Sequence, residues 1–206
     1  VGWKTPSDSS WKPIPRWNMT PGREEGYPEV GCHYEGRHWM FRDITAWASK
    51  VNYPDDFEVG SQDSDGMELY LDTRRVDRVQ AVEVIKGGIL IFSSGGVLMM
   101  NSGGQGAITP ENRRQEEEVA RGAAAIAPVK IGNSVFYVGR DKRTIYELRW
   151  DERRDSMTAD NVTLFAEHYY NEDIVKIVAQ EKARVTYEET RADILWAITS
   201  SGLLYG

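Results

Sequence analysis

The sequence predicts a mostly β fold with low helix content, built of antiparallel meander repeats that form part of a β-propeller. Three observations predict it. A short module recurs: an apolar strand, a small-residue turn, a bulky apolar run, a polar turn and another short strand. Glycine pairs, Gly87-Gly88, Gly95-Gly96 and Gly103-Gly104, fall between apolar runs, where φ > 0 lets the chain reverse. Aromatic content is 11% with seven Trp, residues that bury large areas and suit sheets packed face to face.

Residues 1–28 read as an extended arm. Pro6, Pro13, Pro15, Pro21 and Pro28 fix φ and remove ladder donors, which disfavours helix interiors and central strands. Trp3, Trp11 and Trp17 lie among them, more large aromatics than a disordered tail carries. The arm is expected to dock its rings into this subunit or a neighbour, or to pack only within a longer protein. Residues 29–206 then hold about four blade units, spaced roughly 45–65 residues apart.

The first unit is degenerate, running from Glu29 to Phe41 and on to Thr45–Ser49. Asn52–Val59 leads into a polar loop, Gly60–Gly66, and the alternation of Met67, Leu69 and Leu71 predicts a strand. Arg74–Val79 reads as a short turn. The second unit is Gln80–Phe92, the turn Ser93–Gly96 and Val97–Met100. Ser102–Gly106 is a turn, Ile108–Asn112 a loop or helix start, and Arg113–Val119 one helical turn or an exposed edge strand. The third unit is Ala127–Val138, Gly139–Arg143 and Thr144–Trp150, with Asp151–Met157 as connector. Leu164–Tyr170 reads as strand or short helix. Asp193–Ile198, Thr199–Gly202 and Leu203–Tyr205 repeat the second half of the module. A first residue other than Met, and a last residue one past a strand, suggest a fragment of a longer polypeptide.

Net charge is −7 with pI ≈ 5.1, which argues against a protein that grips nucleic acid over its whole surface. It allows a passive conduit, because an acidic wall repels phosphate and lets DNA slide. Cys32 is the one cysteine, so no intrachain disulfide forms, and it reads as a small apolar strand residue. No run approaches the roughly 18–20 apolar residues that span a bilayer, and Val119–Ala127 is broken by Arg121 and Gly122. No membrane insertion by this segment and no secretory signal are expected.

Several motifs from Gly26 onward occur in a telling order. They are Gly26-Tyr27-Pro28, Gly36–Phe41, Thr45–Val51 followed by Asn52–Phe57, and Ile91–Gly96. Ile108–Asn112, Pro128–Asn133, Tyr146–Leu148 and Asp160–His168 follow. The arrangement resembles the tail nozzle proteins of short-tailed bacteriophages, often called tail tubular protein B, and related tail-hub proteins. Those proteins are several times longer, with platform and tip regions not found here. The resemblance implies a virion structural protein without enzymatic activity, assembled in the host cytoplasm and acting in DNA ejection. It implies other copies of itself as partners, in a ring that is hexameric in the family. Tail adaptor or portal-proximal proteins and DNA in transient passage would be its other partners.

No catalytic, cofactor or metal site is assigned from the residues. Asp63 and Asp65 offer hard oxygen ligands on a Gly-bearing loop, but the distal bidentate Glu of a Ca²⁺ loop is missing. His33 and His38, five apart, would fall on opposite faces of a hairpin or across its turn, and His168 stands elsewhere. A carbohydrate-binding or glycoside-hydrolysing propeller is the first alternative. It would draw carboxylates from Asp55, Asp56, Asp63, Glu167 or Glu172, beside exposed Trp39, Trp47 or Trp196. A generic β-propeller interaction module is the second. Arg113, Arg114, Arg153 and Arg154 sit in inter-strand segments that collect on propeller rims, and with the three arm tryptophans they are the interface candidates. Interspersed Asp and Glu favour protein over nucleic acid as what those arginines meet.

Overall fold

A computed structural model describes residues 28–72, 78–104, 106–165, 172–184 and 191–206, with no account of side chains at 182–184 or 191–192. The arm with Trp3, Trp11 and Trp17, the turn at 74–77, Glu167 and His168 lie outside the described residues. Among those described, every regular element is a β-strand. The first sheet is β1 (Val30–Tyr34), β2 (Arg37–Arg42), β3 (Thr45–Ala48) and β4 (Met67–Tyr70). The second is β5 (Val79–Ile85), β6 (Gly88–Ser93), β7 (Val97–Asn101) and β8 (Arg114–Val119). The third is β9 (Val129–Ile131), β10 (Ser134–Val138), β11 (Ile145–Asp151) and β12 (Ser156–Asn161). The fourth is β13 (Ile174–Arg184), β14 (Arg191–Thr199) and β15 (Leu204–Tyr205). Each is a meander with strands in chain order. The charged run at 113–119 is therefore an edge strand rather than a helical turn, and 108–112 is a turn-containing loop. Among the described residues no helix is long and apolar enough to cross a membrane.

The chain divides into two compact units, residues 1–90 with 99–116 and residues 91–98 with 117–206. In the first, strict alternation buries Trp39, Phe41, Ala46, Ala48, Met67 and Leu69 on one sheet face. On the other face Trp47 packs with Phe57 and Met40. β1 lies alongside β5, and Gln115 of β8 accepts from the backbone N–H of Asp72 at 2.7 Å, next to β4. The hairpin β1–β2 closes on two residues, Glu35 (φ 48°) and Gly36 (φ 74°). Both in the left-handed region is what a type I′ turn demands.

In the second unit Phe92 packs on Tyr137 at 5.1 Å between centroids, and the Glu118 carboxylate accepts from the Met157 N–H at 3.3 Å. Val138, Ile145, Ile174, Ile177 and Ala197 form a shared core between the third and fourth sheets. β9 lies alongside β13. Tyr146 stacks on Tyr137, and the Arg121 guanidinium sits 5.1 Å over the Tyr146 ring.

The β10–β11 connection is held by Asp141. Its carboxylate accepts from the Arg143 and Thr144 N–H groups at 3.1 Å each and from the Thr144 hydroxyl at 2.5 Å. Partial burial raises its pKa, but the bonds from Thr144 and Arg143 outweigh that and hold it below the usual carboxylate range. A depressed folded pKa gives stability that is present above the unfolded pKa and lost as pH falls through the folded one. Asp141→Ala is expected to cost about 1 kcal/mol at neutral pH, read by urea unfolding. Its cost should shrink at strongly acid pH; a cost constant down to that range would show that the carboxylate charge is not what closes the turn.

Candidate functional site

The best-built polar feature lies in the first unit, where the β1–β2 turn, the β3–β4 connection and the β7–β8 connection come together. Arg37 opens β2 in phase with Trp39 and Phe41, so the pleat drives it inward, and it is fully buried. Its guanidinium donates to the carbonyls of Ser49 and Asp65 at 2.6 Å each, and to the carbonyl of Asp63. Burial pushes its pKa down, while the charges of Asp65 and Asp63 push it back. Arg37 thus clamps the loop 49–66 from beneath.

Lys50 holds the same loop from outside. Its ammonium lies 3.4 Å from Asp56, 3.3 Å from Glu58 and 4.0 Å from Asp65. Desolvation works against its charge, but the bonds to Glu58 and Asp56 win and raise its pKa. The Asp65 carboxylate also accepts from the Gln62 N–H at 3.1 Å, and Asn52 N–H donates to the Gly36 carbonyl at 2.7 Å. The Ca²⁺ reading of Asp63 and Asp65 meets a specific obstacle: the positive charge inside this loop is the Arg37 guanidinium.

Opposite this loop, the 107–112 segment is tied by Asn112. Its side-chain oxygen accepts from the Thr109 N–H at 2.8 Å and its amide donates to the Ala107 carbonyl at 2.9 Å. Glu35 reaches from the β1–β2 turn to accept from the Ile108 N–H at 3.2 Å. Between them lies a cleft of about 620 Å³ lined by Val51, Asp63, Ser64, Thr109, Glu111 and Asn112. It is polar, open and acidic, and suits hydrogen-bonded contact with a polar or basic partner surface.

The interface arginines separate. Arg113 and Arg114 flank this cleft's second loop, with the Arg114 side chain laid against the Gly103 turn. Arg153 and Arg154 form the tip of the β11–β12 hairpin in the second unit, where Asp151 accepts from the Arg153 N–H at 2.9 Å and faces Arg154 at 3.6 Å. Beside them Trp150 is 51% exposed and paired across the hairpin with Met157. An exposed Trp with two arginines is the composition of an interface anchor. Sequence reasoning placed Trp150 in a blade strand without seeing its exposure.

The carbohydrate alternative loses two of its three platforms: Trp39 and Trp47 are core residues, 0% and 5% exposed, while Trp196 is half-buried. Trp196 donates its indole N–H to Gln180 at 2.9 Å. Of the carboxylates, Asp56 is engaged by Lys50, Asp63 lines the cleft, and Glu172 accepts from the Ser201 N–H at 3.1 Å in the other unit. Burial, with Glu83 adding, pushes the Cys32 thiol up to about 12, so it stays protonated and unreactive. His33 and His38 face each other directly across the first hairpin. No protein-family model matches the chain, and no curated protein matches it.

Proposed function

We propose that this chain is an architectural protein of a bacteriophage tail, of the nozzle or hub kind. Its meanders form part of a β-propeller, and its copies assemble in a ring that braces a DNA channel. One observation carries the reading. Within each unit the first strand of one meander neighbours the first strand of the next, β1 with β5 and β9 with β13, the order in which blades follow round an axis. The buried Arg37 clamp and the Lys50 cluster support it, because they spend charged groups on fixing loop geometry rather than on presenting reactive groups. Net charge of −7 suits a channel wall that DNA passes without sticking. The contact between copies is assigned to the β11–β12 hairpin, with Trp150 as the anchor and Arg153 and Arg154 as its charged rim.

The test is the assembly state. Purified chain at tens of micromolar should form rings visible in negative stain, with a matching mass by light scattering. Trp150→Ala combined with Arg154→Glu should weaken assembly by more than tenfold while leaving the circular dichroism unchanged. A wild-type chain that stays monomeric, or a double variant that assembles normally, would overturn the ring or the assigned contact respectively.

A further inference from the structure

His33 and His38 occupy directly opposed positions on β1 and β2. The backbone polar groups of His38 point away from β1: its N–H donates to the Ser49 hydroxyl at 2.9 Å, and its carbonyl accepts from the Ser49 N–H at 2.9 Å. The pair is therefore a non-hydrogen-bonded one, the kind in which side chains stand closest. Their ring centroids are 5.7 Å apart with planes inclined at 51°.

The His38 ring is also oriented from behind. It packs on Phe57 at 6.2 Å between centroids. Gly31 lies on the same face of β1 and has no side chain to fill the space beside the ring, where a Cβ would stand 3.8 Å from His38 Nε2. Burial and the neighbouring His33 push the His38 pKa down, which keeps the imidazole neutral as a ligand must be.

We propose that His33 and His38 form a two-imidazole binding site for a divalent transition-metal ion of the Cu²⁺, Ni²⁺ and Zn²⁺ class. An ion about 2.1 Å from one nitrogen of each ring stands roughly 3.2 Å from each centroid, so rings at this separation lie within its span. Among the described residues no group of three or more His, Cys, Asp and Glu assembles as a metal cluster, so water completes the coordination. Imidazole ligands favour Cu²⁺ most and bind Mg²⁺ or Ca²⁺ negligibly. The site is independent of the ring proposal, and the ion would staple the first hairpin at its turn end.

The experiment titrates the full chain with Cu²⁺ and Zn²⁺ by calorimetry, with Mg²⁺ as comparison, and records the Cu²⁺ electron paramagnetic resonance spectrum. One Cu²⁺ per chain with two coordinated nitrogens is expected, bound at least tenfold more weakly by His33→Gln. The melting temperature should rise with Cu²⁺ in the wild type and not in His33→Gln, because an ion that binds only the native pair stabilises by mass action. His33 is exposed, so this change leaves the fold intact, and matching circular dichroism checks that. His168→Gln should bind as the wild type does. Unaltered binding by His33→Gln, loss of binding in His168→Gln, or an equal response to Mg²⁺ would overturn the site.

Discussion

Replacing Arg37 with methionine is expected to destabilise the chain by about 3–5 kcal/mol, the largest single-residue effect outside the apolar core. Methionine keeps much of the buried volume, and removing a buried charge avoids its desolvation cost. On that argument alone the change would be nearly neutral, as when both members of a buried ion pair are replaced together. Here the acceptors are the backbone carbonyls of Ser49, Asp63 and Asp65, which no side-chain substitution removes. Each carbonyl left without a donor costs about 1–3 kcal/mol if it stays dry. Loss of the donors therefore outweighs relief of desolvation. Arg37→Lys should recover part of the loss, since one ammonium supplies charge but not a planar fork reaching carbonyls of two segments. The readouts are the urea midpoint and the rate of proteolysis within residues 50–66, which should rise sharply. A methionine variant within 1 kcal/mol of wild type and no more open to protease would remove the clamp from the account of the cleft.

Arg37 also shows how far the sequence could be read. The meanders were legible because a period of two, interrupted by short polar turns, leaves little choice of element. Met67 and Leu69 lie on one face of β4 as their alternation requires, and the Gly87-Gly88 and Gly95-Gly96 turns fall where the second sheet reverses. Arg37 shares its phase with Trp39 and Phe41, and that phase was the signal that it points inward. What phase cannot tell is which backbone carbonyls will wait there, because those come from a loop twelve or more residues away. Trp150 fails in the opposite sense. It is in phase with the buried Leu148, yet it stands beyond the reach of what covers that face, near the hairpin tip. Alternation assigns a face and says nothing of how much of it a neighbour covers. The histidines needed one further fact, the two-residue Glu35-Gly36 turn, which sets the register that opposes them.

Gly122→Ala is expected to cost about 3 kcal/mol, for a steric reason rather than a conformational one. A Cβ at this position would run into the Ser94 carbonyl oxygen and stand 2.6 Å from its carbon and 3.2 Å from the Gly95 nitrogen. Those atoms are backbone, so no rotamer change relieves the clash. The turn they belong to is itself fixed, since the buried Ser93 hydroxyl accepts from the Gly96 N–H at 3.0 Å and donates to the Gly96 carbonyl at 2.9 Å. Moving the other side is no easier. Ala123 N–H donates to the Ser93 carbonyl at 2.8 Å, and the Gly122 carbonyl accepts from Arg140 N–H at 2.9 Å. Gly132 supplies the control, because it has φ +58° and nothing within 4 Å of its would-be Cβ. Gly132→Ala should cost only about 1 kcal/mol, the penalty of a left-handed residue with a side chain. Urea unfolding of both variants separates close approach from backbone strain. If Gly132→Ala proved the costlier of the two, the tight passage of residues 119–123 against the Ser93–Gly96 turn would not be what joins the second meander to the third.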